Sequence, residues 1–170
     1  PKCLLPVNGL PIIYRLLDHL FEEGITDAIV CTGYRGRDIR NALGKYQVRT
    51  PISQKIIYSE ITEDEPMGKR LQKAREHIHG RCLICYADEL ADVNVRELLD
   101  QHKADRADLT FTACHAVPTN GGIITPANQI TESWYLAVNI GFAVVEEECW
   151  KLLESSHGLA DWINQCGNHL

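Results

Sequence analysis

Residues 81–103, RCLICYADELADVNVRELLDQHK, decide how the chain is read. CLICYA is a continuous apolar run, too apolar to show one face to solvent, and it predicts a strand covered on both sides. The run breaks into an acidic loop at Asp88, and VRELLDQHK then carries the spacing of a helix. A second strand, ADLTFTACHAV (107–117), follows. Upstream, PIIYRLLDHLFEE (11–23) predicts a helix stopped by Gly24, AIVCTG (28–33) a buried strand, and RGRDIRNALG a helix closed by Gly44. A strand around 55–59, a polar loop (EITEDEPMG) and a helix over 70–79 complete the first half. Downstream, GGIIT, NQIT and VNIGFAVV read as strands before a last helix, EEECWKLLE. Strands alternating with helices define a layered α/β fold. The expectation is a three-layer, Rossmann-like sandwich whose sheet is mixed but mainly parallel, with CLICYA near its middle.

The 170 residues fit one domain, 1–170, with one core, and no repeat or linker divides them. A net charge of −6 and a pI near 5.6 speak against a nucleic-acid surface. No apolar run approaches the ~18 residues of a membrane span, and no signal-peptide pattern is visible. Seven cysteines, an odd number mostly in apolar segments, read as reduced buried thiols of a cytoplasmic protein. Cys82 and Cys85 have CxxC spacing but lie inside a strand, without a second pair to complete a zinc site. The seven histidines form no ligand pair within a plausible site and read as surface or capping residues. GxSxG, Walker A and GxGxxG motifs are all absent.

Ligands of open α/β sheets bind beyond the carboxyl ends of the strands. Asp88 follows CLICYA, Gly33-Tyr34 follow AIVCTG, and the EPMGK loop follows KIIYS. Asp88 is either a metal ligand or a turn residue; Asp92 is better placed to cap the next helix. Lys2, in an extended piece bounded by Pro1 and Pro6, is a tethered cation for phosphate or a solvated lysine.

The order of these pieces resembles the sugar-phosphate nucleotidyltransferase family. PKCLLPVNGLPIIYRLLDHLFEEGITDAIVCTGY is similar to that family's PKPLLPV-x-G-x-P-I-I segment and its strand ending in GY. YSE…EPMG resembles its E-x-P-L-G loop, and CYADELADVNVRELLDQHK its N-G-D-x-L-x-D-x-D-L-x-x-L-L-x-x-H segment. GGIIT, ITE and VNIGFAVV resemble its later elements in order. Departures exist. Lys69-Arg70-Leu71 follow Gly68 where the family has T-A-G or T-G-G, Ser133 follows Glu132, and Asp161 is a poor match for a second metal aspartate. The family's glycine-rich signature would precede Pro1, and a C-terminal part would follow the chain.

The resemblance implies transfer of a nucleoside monophosphate from an NTP to a small phosphate acceptor, a sugar 1-phosphate, with release of pyrophosphate. Lys2 would neutralise phosphate charge, and Asp88 would hold Mg²⁺. Gly68, Lys69, Arg70, Tyr86 and Asp88 would bind the nucleotide; Gly122, Glu132 and Asn139 would contact the acceptor. GYRG and YADELADVNV are similar to the glucose 1-phosphate cytidylyltransferases, which favours CTP, whereas EPMG resembles the thymidylyl, uridylyl and guanylyl branches. A non-sugar phosphate or phosphonate acceptor, or a non-catalytic regulatory or scaffold subunit, are the alternatives. Nucleic acid and membrane are not expected partners, and a homo-oligomer is left open.

Overall fold

A hairpin opens the chain. Pro6–Val7 (β1) and Leu10–Pro11 (β2) pair around Asn8 and Gly9, whose φ angles are 48° and 80°. Turns with both central φ positive match the twist of the flanking strands, and Asn-Gly adopts them with least strain. The computed structural model describes residues 1–48, 54–62, 65–115, 123–124, 137–153, 156 and 159–167. Arg15 ties the hairpin to the first helix, donating to Val7 O at 2.8 Å and to Asn8 O at 3.2 Å. That helix, α1 (Ile12–Glu22), buries Ile13, Leu16, Leu17 and Leu20, the spacing of one apolar stripe.

β3 (Asp27–Thr32) pairs in parallel with β4 (Lys55–Glu60), from Asp27 opposite Lys55 to Thr32 opposite Glu60. Between them runs α2 (Gly36–Gln47), which passes through Gly44 rather than ending there. Leu43 and Tyr46 flank Gly44 and are buried, and their packing overrides the ~1 kcal/mol that glycine costs a helix. α3 (Met67–Ala74) leads through a 3-10 turn to β5 (Cys82–Cys85). α4 (Val95–Asp105) starts at Asn94, whose side chain accepts from Glu97 N–H at 2.9 Å. The capping role expected of Asp92 therefore falls to Asn94, the residue directly ahead of the first helical turn.

β6 (Leu109–His115), β7 (Ile123–Ile124) and β8 (Ala137–Val145) follow, then α5 (Glu147–Leu153) and α6 (Leu159–Gly167). β8 pairs antiparallel with β5, β6 and β7. The fold is mixed α/β with a parallel strand pair and helices, as the sequence suggests. CLIC stands at one end of the order β5-β8-β6, however, because β8 takes the place between β5 and β6. The NQIT strand lies outside the described residues, and α6 was not expected. No helix among the described residues is long and apolar enough to cross a membrane.

Helices cover both faces of the strands. On one face, Ala28 and Val30 of β3 pack with Ile13 and Leu17 of α1 and Ile39 and Leu43 of α2. Leu83 and Cys85 of β5 join the same side, against Leu16 and Leu20 of α1 and Val95 of α4. On the other face, Ile29, Cys31, Cys82 and Ile84 share one cluster with Leu71 of α3, Trp150 of α5 and Trp162 of α6. Successive residues of a strand point to opposite sides, so each of these two strands feeds both layers.

His102 corrects the expectation that the histidines are superficial. It is fully buried, with Nδ1 2.7 Å from Thr110 Oγ1 and Nε2 3.0 Å from Glu146 Oε1. Both ring nitrogens have partners, which is what lets an imidazole enter a core. Arg81 Nε donates to the same Glu146 oxygen at 2.5 Å. Burial pushes the Glu146 carboxyl up, but the hydrogen bonds from Arg81 and His102 outweigh it and hold the group below its ordinary range. A native pKa below the unfolded one adds stability that is present above the ordinary value, ~4.3. That stability is lost as pH falls through the native value. Glu146→Gln should therefore lower the thermal midpoint most near neutral pH, and the difference from the parent protein should shrink on acidification below about pH 4. A difference that grows on acidification would contradict the assignment.

Candidate functional site

The turn after β5 is fastened to β8 at its base. Tyr86 N–H donates to Gly141 O at 3.2 Å, and Glu89 N–H donates back to Tyr86 O at 3.3 Å. Asp88 stands on this turn, three residues past the end of β5, and it is exposed. Among the described residues no hydrogen bond or ion pair engages its carboxylate. In the sequence this charge directly follows the apolar run CLICYA. The structure places it in solvent, with both oxygens available to a ligand.

The N-terminal 3-10 turn, Lys2–Leu4, approaches the same place. Burial pushes the Cys3 thiol up, and the charge of Asp88 adds to the rise. Lys2, exposed, is the neighbour of Cys3 on that turn, and Cys3 shares an apolar cluster with Ala87, the residue before Asp88.

Gly141 organises the other side of the turn. Its φ is 86°, and a Cβ there would stand 1.9 Å from Glu89 Oε2 and 3.2 Å from Tyr86 Cδ2. The left-handed backbone strains any side chain there, and the Glu89 carboxylate would have to swing aside for one. Asn139 caps this bend, its side-chain oxygen accepting from Gly141 N–H at 2.7 Å. Tyr86, Asn139 and Asp88 are thus joined through the β5 turn and the Gly141 bend. Glu89 was not among the expected site residues; burial pushes its carboxyl up, and Asp88 adds to the shift. The N-x-G spacing of residues 139–141 was the signal for this bend.

Gly68, Lys69 and Arg70 lie in the first turn of α3, with Gly68 buried and Lys69 exposed. Arg70 Nε donates to Glu65 O at 3.1 Å. Its guanidinium lies against Gly33, where a Cβ would stand 3.2 Å from Nη2. The GY end of β3 and the EPMG loop therefore meet, through Arg70. Gly122 and Glu132 lie outside the described residues.

The described candidate residues stand on loops and helix starts of a mixed α/β fold. No family model matches the chain. Glucose-1-phosphate cytidylyltransferase of Salmonella typhi is 24% identical over 150 residues, covering 76% of this chain and 58% of that protein. Mannose-1-phosphate guanylyltransferase of Mycobacterium tuberculosis is 28% identical over 114 residues, covering 65% of this chain and 30% of that protein. The structure of UDP-glucose pyrophosphorylase from Acinetobacter baumanii superposes with a TM-score of 0.74 at 16% identity, over 99% of this chain and 75% of that one. The homologues of this chain are sugar-phosphate nucleotidyltransferases, at low identity but consistently so. The chain spans 58% of the length of the first of these relatives.

The CxxC pair cannot act as a chelate, because the strand sends Cys82 and Cys85 to opposite helical layers. Burial pushes both thiols up to about 12. Burial likewise raises Cys149, helped by Cys166. Cys114 is exposed. Thiolate is the reactive form, so iodoacetamide on the native protein at mildly alkaline pH should modify Cys114 first and leave Cys82, Cys85 and Cys149 intact. Mass spectrometry of digests reads this directly; early labelling of Cys82 or Cys85 would contradict the packing described.

Proposed function

We propose that the chain forms the core of a nucleotidyltransferase that moves a nucleoside monophosphate from an NTP to a sugar 1-phosphate and releases pyrophosphate. The observation that carries this reading is Asp88, an accessible carboxylate without a protein partner among the described residues, near the turn that holds Lys2. The homologues supply the reaction class.

Asp88 would hold Mg²⁺. The ion takes one or two carboxylates together with phosphate oxygens and water, which suits a lone exposed carboxylate. Among the described residues no cluster of three His, Cys, Asp or Glu side chains could hold a metal by itself, so the nucleotide would complete the shell. When bound, the ion offsets charge on the phosphate oxygens.

The remaining work falls to the chain's own groups. Lys2 would neutralise phosphate charge, held near by the buried Cys3 beside it. Gly68, buried at the start of α3, would let the base approach the backbone, with Lys69, Arg70 and Tyr86 around it. Asn139, with Gly122 and Glu132, would contact the acceptor. Attack by the acceptor's phosphate oxygen on the α-phosphorus needs positioning and charge neutralisation rather than a histidine base. CTP is the favoured donor, on the GYRG and YADELADV segments and the cytidylyltransferase relatives. Guanylyl and uridylyl relatives also exist, so donor choice is a matter for the assay.

Pyrophosphate release, with four NTPs against a panel of sugar 1-phosphates, tests the reading. Asp88→Asn should reduce turnover on the order of a thousandfold and leave the thermal midpoint nearly unchanged. Asp92→Asn, at an exposed residue that does not cap α4, should change neither. Near-normal turnover by Asp88→Asn, or greater damage from Asp92→Asn, would remove Asp88 from the site.

A further inference from the structure

At the amino end of α2 a pocket of about 300 Å³ is lined by Thr32, Gly36, Arg37, Arg40, Glu60 and Ile61. Apart from Gly36, which ends the GYRG segment, none of these residues has a role in the reaction above. Thr32, the last residue of β3, is only 2% exposed. Its carbonyl accepts from Ile61 N–H at 3.1 Å, but its hydroxyl has no hydrogen-bond partner among the described residues. The residue is almost wholly enclosed, and it belongs to the pocket wall. Gly36 keeps the space above it open: a Cβ there would stand 3.1 Å from Thr32 Cβ and 3.2 Å from Oγ1.

The other groups of the pocket are donors. In the first turn of α2, Gly36 N–H donates to Gly33 O and Asp38 N–H to Arg35 O. Arg37 N–H, between them, has no partner among the described residues, and the helix dipole adds partial positive charge at this end. The Arg37 side chain is exposed, without an ion pair among the described residues. Arg40 lies over the Tyr58 ring at 4.2 Å and pairs with Glu60. Two guanidinium groups against one carboxylate leave the pocket positive.

We propose that this pocket binds a phosphate-type oxyanion, either free phosphate or the phosphate of a small phosphomonoester. Thr32 Oγ1, Arg37 N–H and the guanidinium of Arg37 would be its donors, with Arg40 as a second cation shared with Glu60. Donors from a strand end, a helix start and the next helical turn approach from several directions. That arrangement suits a tetrahedral anion with several acceptor oxygens better than a planar carboxylate. The inference does not rest on the proposed reaction.

Calorimetric titration of the full chain in low salt, without divalent metal, tests it. The probes are inorganic phosphate and methyl phosphate, with chloride as the control, and titrations are repeated in a Lys2→Ala background to remove binding at the other candidate site. The expected result is saturable binding of at least one probe that Lys2→Ala leaves in place. Thr32→Val, which keeps shape and removes the hydroxyl, and Arg37→Gln, at an exposed side chain, should each weaken it about fivefold or more. The tighter probe tells free phosphate from an ester. If Thr32→Val fails to fold, Arg37→Gln decides alone. Absence of saturable binding of both probes, or Arg37→Gln binding as tightly as the parent, would overturn the proposal.

Discussion

Everything at the candidate site depends on β3 and β5 being gripped from both sides. Each strand gives alternate residues to two helical layers, and one buried cluster, with Leu71, Trp150 and Trp162, holds residues of both strands at once. A backbone fixed in this way has little freedom until its pairing stops. Where β5 stops, the chain turns at once through Tyr86 to Asp88, and the turn is pinned by the bond from Tyr86 N–H to Gly141 O. Rigid strands thus deliver an exposed carboxylate to a defined place without spending core packing on it. Placing a charged group on a loop anchored by a packed scaffold is the general way α/β proteins separate stability from chemistry.

Much of this was legible in the residues. CLICYA is apolar at every position, so the sequence required a strand covered on both faces, and the two helical layers supply that cover. The PIIYRLLDHLFEE stripe gave α1 to within a residue at each end. Local signals failed where packing between distant segments decides. Gly44 reads as a stop, yet the burial of Leu43 and Tyr46 carries α2 through it. The place of β8 between β5 and β6 reflects long-range pairing, which no local pattern encodes. His102 reads as a polar helix residue; only the fold brings Thr110 and Glu146 to its two nitrogens.

The site was legible in part. The residues named from the sequence do sort into places: Lys2 and Asp88 in one, Tyr86 with Asn139 at the Gly141 bend, Gly68 to Arg70 against Gly33. Glu89 was missed because its significance lies in its closeness to Gly141, far away in the chain, and not in any local pattern. The physical case for Asp88 also changed. The sequence left it as metal ligand or turn residue; the structure shows a solvated carboxylate without a partner among the described residues. Free oxygens are the better property for recruiting a hydrated cation that keeps several of its waters.

The central claim is that nucleotide and metal meet at the β5 turn. The most direct measurement is paramagnetic broadening of backbone amide signals by Mn²⁺, substituted for Mg²⁺, in the presence of CTP. The expected result is strongest broadening at Asp88 and Glu89, then at Lys2–Leu4, abolished by Asp88→Asn. Broadening centred elsewhere, or unchanged in Asp88→Asn, would contradict it.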